Sequence, residues 1–258
     1  MNLPLRLKAT VIVPVFNRPE PLRRAVRSIL QNANDVLLDV LIVDDGSTDE
    51  TPVVIRELTE RHAEVRCVRR DNGGVTKARN TGLDHIAPDA DVVTFLDSDD
   101  VMTPQRFAAD LPALMAEHAD GRRVELTYGR MLVTNDMDGT TLSPPAHAVT
   151  QCLVGVQLGC GLYRRSLIDR IGRFDEDLLQ SEDTDYLLRI FEEETAFAQT
   201  DTICQYYVRH AGNMTKRTDE AKKYFAMTVL KSVQRRRRDP SRALNKPVFE
   251  VRLPIELL

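Results

Sequence analysis

The sequence predicts an α/β fold with a mostly parallel central sheet, helices on both faces of that sheet, and a C-terminal helical extension. In the first half of the chain, short apolar runs rich in β-branched residues alternate with stretches whose apolar residues recur at helical spacing. Strands that alternate with helices in this way form parallel sheets. Polar clusters directly follow several apolar runs, which places them at the carboxyl ends of strands, where such sheets bind ligands.

The first half contains four predicted strands, and each is followed by a predicted helix. The strands cover 9–16, 36–43, 65–68 and 91–96, and the third and fourth helices cover 75–86 and 103–118. Each helix has its own start signal in the sequence. These signals are Pro19 with Pro21, a capping box of Ser47 with Glu50, the turn Gly73-Gly74, and Thr103-Pro104.

The second half is less regular, and no internal repeat or low-complexity linker divides it. The predicted elements are strands at 124–132 and 203–209, a loop at 136–146, and helices at 164–171, 182–193 and 216–234. The last helix is predicted to present one apolar face, made by Tyr224, Phe225, Met227, Val229, Leu230 and Val233. We therefore expect one domain followed by a C-terminal extension.

Composition and charge exclude several classes of protein. The chain has 258 residues, 35 Lys and Arg against 39 Asp and Glu, and a formal net charge of −4. A general nucleic-acid binder would carry a basic excess, so no nucleic-acid partner is expected. No apolar run reaches the roughly 18 residues of a membrane span, and no secretory signal precedes the first strand. The four scattered cysteines indicate reduced thiols and a cytoplasmic location.

Acidic clusters follow the second and fourth predicted strands. Asp97-Ser98-Asp99-Asp100 offers closely spaced carboxylates, and oxygen ligands of this kind suit Mg²⁺ or Mn²⁺. The alternative is that Asp99 or Asp100 caps the next helix. Asp44-Asp45-Gly46-Ser47 could accept hydrogen bonds from a base or ribose, or simply form a strand-to-helix turn.

Three further features are ambiguous when each is taken alone. The glycines at 73 and 74, with Lys77 and Arg79 behind them, could meet phosphates or form a turn before a basic helix face. The acidic pair Glu182-Asp183 could supply a general base or only favourable charge at a helix N-terminus. His210 could be a metal ligand or an ordinary surface residue.

The joint order of these motifs is more specific than any one of them. Six blocks closely resemble the successive motifs of family-2 glycosyltransferases with the GT-A fold, and they cover about residues 9–215. They are VIVPVFN (11–17), VDDGSTDET (43–51), NGGVTKARNTGL (72–83), FLDSDD (95–100), SEDTDYLLR (181–189) and RHAGN (209–213).

The resemblance implies a role for each matching residue. On the nucleotide side it implies that the donor contacts Pro14, Val15, Phe16, Asn17, Asp44, Asp45, Lys77, Arg79, Asp97 and Ser98. Asp97-Ser98-Asp99 matches the DxD motif, in which Asp97 would lie near the ribose and Asp99 would bind Mn²⁺ or Mg²⁺. His210 would complete metal or diphosphate binding, and Asp183 would be the general base of an inverting transfer.

The resemblance also implies a domain plan and partners. Residues 1–215 would form the GT-A domain, with a nucleotide-binding half at about 1–120 and an acceptor-binding half at about 121–215, followed by a helix and tail at 216–258. The donor would be a nucleotide-diphosphate sugar, most commonly a UDP-sugar. The acceptor is an unidentified hydroxyl in polysaccharide, glycolipid or glycoconjugate synthesis, and residues 136–158 are expected to help bind it.

Alternative functions are less compatible with the residues. A nucleotidyltransferase would carry a glycine-rich basic loop after the first strand, where this chain has Asn17-Arg18-Pro19-Glu20. A glycosidase would also use paired carboxylates, but not the nucleotide-type motifs. An inactive sugar-nucleotide-binding module is the third alternative. For the basic C-terminal stretch 231–238 we consider packing on the domain or in a homodimer, and peripheral contact with the inner face of the membrane.

Overall fold

The structure is a computed structural model that describes residues 6–210 and 218–250. The strands are β1 (Lys8–Val15), β2 (Leu37–Asp44), β3 (Val65–Arg69), β4 (Val92–Phe95), β5 (Val101–Met102), β6 (Leu126–Thr134), β7 (Thr150–Leu153), β8 (Gly161–Arg164) and β9 (Phe197–Val208). The helices are α1 (Pro19–Leu30), α2 (Thr51–Arg61), α3 (Val75–Asp84), α4 (Arg106–Met115), α5 (Arg165–Ile171), α6 (Glu182–Glu192) and α7 (Thr218–Arg238). The end of the RHAGN block, the start of the predicted last helix and the tail from 251 lie outside the described residues.

The sheet runs in the order β3-β2-β1-β4-β8-β6-β9-β5, and β7 pairs with β6. The first four strands pair in parallel, with Val11 opposite both Val40 and Thr94. Residues 9–15 and 38–44 are buried throughout because helices cover both faces, which explains why these strands are continuous apolar runs. This architecture confirms the predicted α/β fold class.

The second half of the sheet mixes strand directions. β8 is antiparallel to both β4 and β6, whereas β9 is parallel to β6 and antiparallel to the short β5. β9 begins at Phe197, six residues before the predicted start. Its first part, FAQTDT, is half-exposed and polar, so no apolar run marks it in the sequence. The pairing of β5 with β9 brings the residues after Leu96 next to the end of β9.

Two helix starts differ from the prediction. α2 begins at Thr51 without a side-chain cap, so the predicted capping box of Ser47 with Glu50 is wrong. The Ser47 hydroxyl instead accepts a hydrogen bond from the main-chain N–H of Asn17, at 3.0 Å. α4 begins at Arg106 after Gln105 in a left-handed conformation, so neither Asp99 nor Asp100 caps it.

Helix α7 packs on α6 through polar groups, and part of its predicted apolar face is exposed. Tyr224 is buried, but Phe225 and Leu230 are 54% and 59% exposed, whereas Thr228 and Ser232 are fully buried. The reason lies in α6, where the buried carboxylate of Glu192 accepts hydrogen bonds from the Ser232 hydroxyl and the Arg235 guanidinium. These charge-assisted bonds orient α7, because a carboxylate buried without partners would be costly.

None of the helices in the described ranges is both long enough and apolar enough to cross a bilayer.

Candidate active site

The candidate site lies where β1, β2 and β4 end on the same edge of the sheet. Parallel pairing places Val15 opposite Asp44 and Ile12 opposite Phe95, so the segments that follow these strands emerge side by side. Helix α6 from the second half of the chain adds Glu182 and Asp183 to this edge. The topology thus brings together most of the acidic clusters that the sequence singles out.

The Asp44–Ser47 turn is closed by its own carboxylates. Asp44 accepts a hydrogen bond from the main-chain N–H of Ser47 at 2.9 Å, and it forms an ion pair with Arg69 at 2.7 Å. Asp45 pairs with Arg70 and accepts the N–H of Gly74 at 2.7 Å. Both carboxylates are almost fully buried, so they hold β2 against the loop before α3.

Position 46 in this turn requires a glycine. Its φ is +77°, a conformation that side chains disfavour, and a Cβ at this position would lie 2.7 Å from the main-chain nitrogen of Asn72. The close approach lets the loop at 70–74 pack directly over the end of β2. The two predicted nucleotide-binding segments, around Asp45 and Gly73, are therefore in contact.

Arg79 connects the end of β4 with the start of α6. Its buried guanidinium donates to Asp97 at 2.7 Å and contacts the carboxylate of Glu182. Burial alone would lower the pKa of Arg79, but the carboxylates of Asp97 and Glu182 raise it, so this group stays charged. Burial raises the pKa of Glu182 to about 7, against the opposing effect of Arg79. The carboxamide of Gln157 also reaches Asp97, at 3.4 Å.

Asp99 lies beside His210 and Arg18. The Nε2 atom of His210 is 2.7 Å from Oδ2 of Asp99, and the Arg18 guanidinium contacts both side chains. Asp99 and His210 come from opposite halves of the chain, and the β5–β9 pairing brings them together. Within the described ranges, no group of three or more acidic, histidine or cysteine side chains is arranged to hold a metal ion. Arg18 provides the positive charge next to the Asp99 carboxylate.

Asp100 supports this arrangement from inside the protein. It is buried, and its carboxylate accepts hydrogen bonds from the Gln205 carboxamide at 3.1 Å and the Val208 main-chain N–H at 3.0 Å. Burial raises the pKa of Asp100 well above its ordinary value, and the charges of Asp99 and Asp97 add to this effect. Asp100 thus ties the DxD segment to the strand that ends just before His210.

Asp183 lies at the N-terminal end of α6, where the charges of Arg79 and Asp97 act on its carboxylate. Its Oδ1 accepts the main-chain N–H of Thr184 at 2.6 Å. Burial raises the pKa of Asp183, although Arg79 opposes the shift. A carboxylate with a raised pKa beside other site residues is a candidate proton acceptor.

The other predicted nucleotide contacts differ in exposure. Pro14, Val15 and Ser98 are buried, whereas Phe16 is 44% exposed and Lys77 is exposed. Asn17 has a left-handed backbone with φ of 51°, and its side-chain oxygen accepts the N–H of Thr48 at 2.8 Å. The exposed Phe16 and Lys77 therefore flank the buried turn residues on the ligand side of the edge.

Sequence analysis assigned no role to Arg18 or Gln157, and it named Glu182 and Asp100 only as members of acidic clusters. Arg18 immediately follows a strand-end asparagine, and Glu182 immediately precedes the predicted base, so their positions offered a signal. Gln157 offered no signal, and the supporting contact of Asp100 could not be foreseen, because both contacts depend on pairing between distant strands.

Comparison with known sequences supports the assignment that the motifs imply. The family described as Glycosyl transferase family 2 matches residues 10–172. The succinoglycan biosynthesis protein ExoW of Rhizobium meliloti (strain 1021) is 38% identical over 128 residues, 47% of this chain. The pre-mycofactocin glycosyltransferase of Mycobacterium tuberculosis (strain CDC 1551 / Oshkosh) is 30% identical over 203 residues, 73% of this chain. The matches cover 39% of the first relative and 40% of the second.

Solved structures show the same fold. Residues 1–349 of TarS from S. aureus, in complex with UDP-GlcNAc, match with a TM-score of 0.65 and 19% identity over 87% of this chain and 66% of that one. The mannosyltransferase PcManGT from Pyrobaculum calidifontis, in complex with GDP-Man and Mn²⁺, matches with a TM-score of 0.64 and 18% identity over 89% of this chain and 65% of that one. The matched family region contains the first strands, the Asp44-Asp45 turn and the DxD segment. On this evidence, the chain belongs to the family-2 glycosyltransferases.

Proposed function

We propose that this protein transfers a sugar from a nucleotide-diphosphate sugar, a UDP-sugar, to an acceptor hydroxyl with inversion at the anomeric carbon. The observation that carries the proposal is the meeting of Asp99 and His210, 2.7 Å apart, beside the Arg79-linked pair of Asp97 and Glu182. A sugar nucleotide presents a base, a ribose, a diphosphate and a sugar in a row. The edge of the sheet offers the buried turn, Asp97, the Asp99–His210 pair and Asp183 as partners for these groups.

The relatives support a nucleotide sugar as donor. TarS was solved with UDP-GlcNAc and PcManGT with GDP-Man and Mn²⁺. Both share the fold of this chain, and UDP is proposed because UDP-sugars are the common donors of the proteins that the motifs resemble. Phe16, Asn17 and Lys77 are the exposed members of the nucleotide-side set, so they are available to contact a bound base or diphosphate.

Asp99 and His210 would hold Mn²⁺ or Mg²⁺. One carboxylate and one imidazole suit Mn²⁺, and phosphate oxygens of the donor commonly complete such a site. Arg18 lies against both side chains and would have to turn away to admit the ion, because a guanidinium and a divalent cation repel each other. A bound divalent ion would neutralise the charge that develops on the diphosphate as it leaves. The hydrogen bond between Asp99 and His210 would open to make room.

Asp183 would accept the proton of the acceptor hydroxyl. An uncharged hydroxyl is a weak nucleophile, and a base positioned in the transition state typically accelerates attack about 10²- to 10⁴-fold. The raised pKa of Asp183 makes this carboxylate a stronger base than an exposed aspartate. One displacement, with the acceptor opposite the diphosphate, inverts the anomeric carbon.

The rest of the chain would serve the acceptor and the cellular setting. Residues 136–158 are proposed to contact the acceptor, and the chain is proposed to act in polysaccharide, glycolipid or glycoconjugate synthesis in the cytoplasm. The domain plan with a nucleotide-binding half, an acceptor-binding half and a C-terminal extension is retained as part of this proposal. Contact of the C-terminal region with a membrane or a second copy remains an alternative to its packing on α6.

A screen of sugar nucleotides by thermal unfolding tests the proposal. UDP-, GDP- and dTDP-sugars are each added with Mn²⁺ or with a chelator, because binding to the folded state raises the apparent melting temperature. We expect a UDP-sugar to raise the melting temperature only when Mn²⁺ is present, and slow release of UDP on longer incubation. A melting temperature unchanged by every nucleotide sugar with Mn²⁺ would contradict the proposed function.

A further inference from the structure

A cleft separate from the candidate active site lies between helix α1 and the loop at 136–146. It has a volume of about 260 Å³ and is lined by Glu20, Pro21, Arg23, Arg24, Arg27 and Gly139. Gly139 belongs to the loop at 136–146, so the cleft is formed by α1 from the first half of the chain and a loop from the second. No motif of the sequence accounts for three arginines lining one cleft.

Two of the three arginines lack a carboxylate partner in the described part of the chain. Arg23 is paired with Glu57 at 2.6 Å. Arg24 donates only to the main-chain oxygen of Asp99, at 2.8 Å, and its buried Nε has no hydrogen-bond partner. Arg27 donates only to the main-chain oxygen of Gly139, at 3.0 Å. Carbonyl oxygens satisfy N–H groups but do not neutralise charge, so the cleft retains positive charge.

This pattern differs from that of Arg66 and Arg235, which pair with carboxylates. Arg66 pairs with Asp39 at 2.5 Å, and Arg235 pairs with Asp185 and Glu192 at 2.9 and 2.7 Å. Glu20 is the single acidic residue that lines the cleft, and it lies 3.6 Å from Arg23. Among the described residues, Arg27 thus offers a guanidinium with no carboxylate in contact. Arg24 offers one that forms no ion pair there and is only partly offset by the nearby charges of Asp100 and Asp99. A phosphate monoester carries close to two negative charges and accepts bidentate arginine hydrogen bonds, so it matches this pair better than a single carboxylate does.

The cleft is adjacent to the candidate active site but faces away from its metal-binding side. Arg24 contacts the main-chain oxygen of Asp99, whereas the carboxylate of Asp99 meets His210 and Arg18. A phosphate bound here would lie next to the loop at 136–146 and near the segment that carries Asp99. The position therefore suits a substrate that reaches the site from the side of that loop.

We infer that the Arg24–Arg27 cleft binds a phosphate group carried by the acceptor substrate. That the phosphate belongs to the acceptor rests on the proposed function. That the cleft binds phosphate does not. Arg27 is the better residue to change because its side chain is exposed, while Arg24 touches the DxD segment.

Calorimetric titration of the full chain with inorganic phosphate, in the presence of a chelator, tests the inference. The variants are Arg27→Gln, Arg24→Gln and the matched control Arg56→Gln, which removes an exposed arginine from α2 outside the cleft. We expect Arg27→Gln to weaken phosphate binding about tenfold, the usual effect of losing a hydrogen bond to a charged group. Arg56→Gln should leave it unchanged. Binding of a UDP-sugar with Mn²⁺ should stay the same in Arg27→Gln.

Vesicles identify the source of the phosphate. Phosphatidic acid presents a phosphomonoester on a lipid, and phosphatidylserine vesicles of equal charge lack one. Preference for phosphatidic acid, lost in Arg27→Gln, would assign the phosphate to a lipid-linked acceptor; binding of free phosphate without that preference would assign it to a soluble acceptor.

No measurable phosphate binding, or equal binding by wild type and Arg27→Gln, would overturn the site. Equal loss of UDP-sugar binding in Arg27→Gln would assign the cleft to the donor and also overturn the inference. A wild-type chain that binds phosphate but no sugar nucleotide would refute the proposed function while leaving the phosphate site in place.

Discussion

The two acidic clusters at the edge of the sheet resemble each other in sequence but differ in what their carboxylates contact. Asp44 and Asp45 have 2% and 4% of their side chains exposed and are satisfied by arginines and main-chain N–H groups. Asp97 and Asp99 have 30% and 14% exposed, and they meet Arg79, Arg18 and His210, which come from other elements. The first cluster builds a turn, and the second presents charge at the surface of a cleft.

This difference teaches that burial and partners distinguish two kinds of site carboxylate: those in the turn proposed to receive the donor's base also hold the fold together, whereas Asp97 and Asp99 are more exposed. In the first cluster a ligand would have to replace intramolecular bonds that hold two loops together. In the second cluster the partners are side chains from other elements, so a bound divalent ion would replace contacts with Arg18 and His210 and would not open the turn. The predictions below test this separation, from the largest expected effect to the smallest.

Asp183→Asn should have the largest effect on activity, because it removes the proposed base and leaves both acidic clusters intact. We expect transfer to fall about 10²- to 10⁴-fold, since proton removal from the acceptor loses its base. Binding of the donor with Mn²⁺ should stay the same. The measurement is kcat at saturating donor, with donor affinity measured in parallel.

The melting temperature of the same variant provides a control. The folded state raises the pKa of Asp183, so the charged carboxylate disfavours folding at neutral pH, and the neutral amide should not lower the melting temperature. Near-normal turnover, or loss of donor binding, would remove Asp183 from the role of base.

Asp45→Ala should affect stability. It leaves Arg70 and the N–H groups of Gly73 and Gly74 without their carboxylate, and such losses cost about 1–3 kcal/mol each when the groups are buried. We expect a lower free energy of unfolding in denaturant titrations. Asp201→Ala, at a fully exposed aspartate, is the matched control. Unchanged stability in Asp45→Ala would break the distinction between the two clusters.

The pH profile of the wild type should show the smallest effect. Because burial raises the pKa of Asp183, kcat should fall as pH decreases, with a midpoint above the ordinary aspartate value of about 3.9. The deprotonated form is the active base, so activity is retained above that midpoint. A rate that stays constant down to this ordinary value, in protein that remains folded, would contradict the assignment.

The sequence predicted the parallel half of the sheet well because its strands are continuous apolar runs such as residues 9–15. It also placed Asp97, Asp99 and Asp183 in motifs that the structure brings to one edge. It could not predict that Asp100 anchors β9 or that Gln157 reaches Asp97, because those contacts depend on strand pairing across more than 50 residues. The packing of α7 was missed for a related reason: its buried face is polar and matches carboxylates on α6.

The most direct test of the account is calorimetric titration of a UDP-sugar into wild type and Asp99→Ala, with and without Mn²⁺, using Asp201→Ala as the matched control. The account predicts that Mn²⁺ strengthens binding to wild type and Asp201→Ala but not to Asp99→Ala, because a divalent ion contributes several kcal/mol to charge stabilisation at such sites. Equal enhancement by Mn²⁺ in Asp99→Ala and wild type would contradict the claim that Asp99 holds the cation at this edge of the sheet.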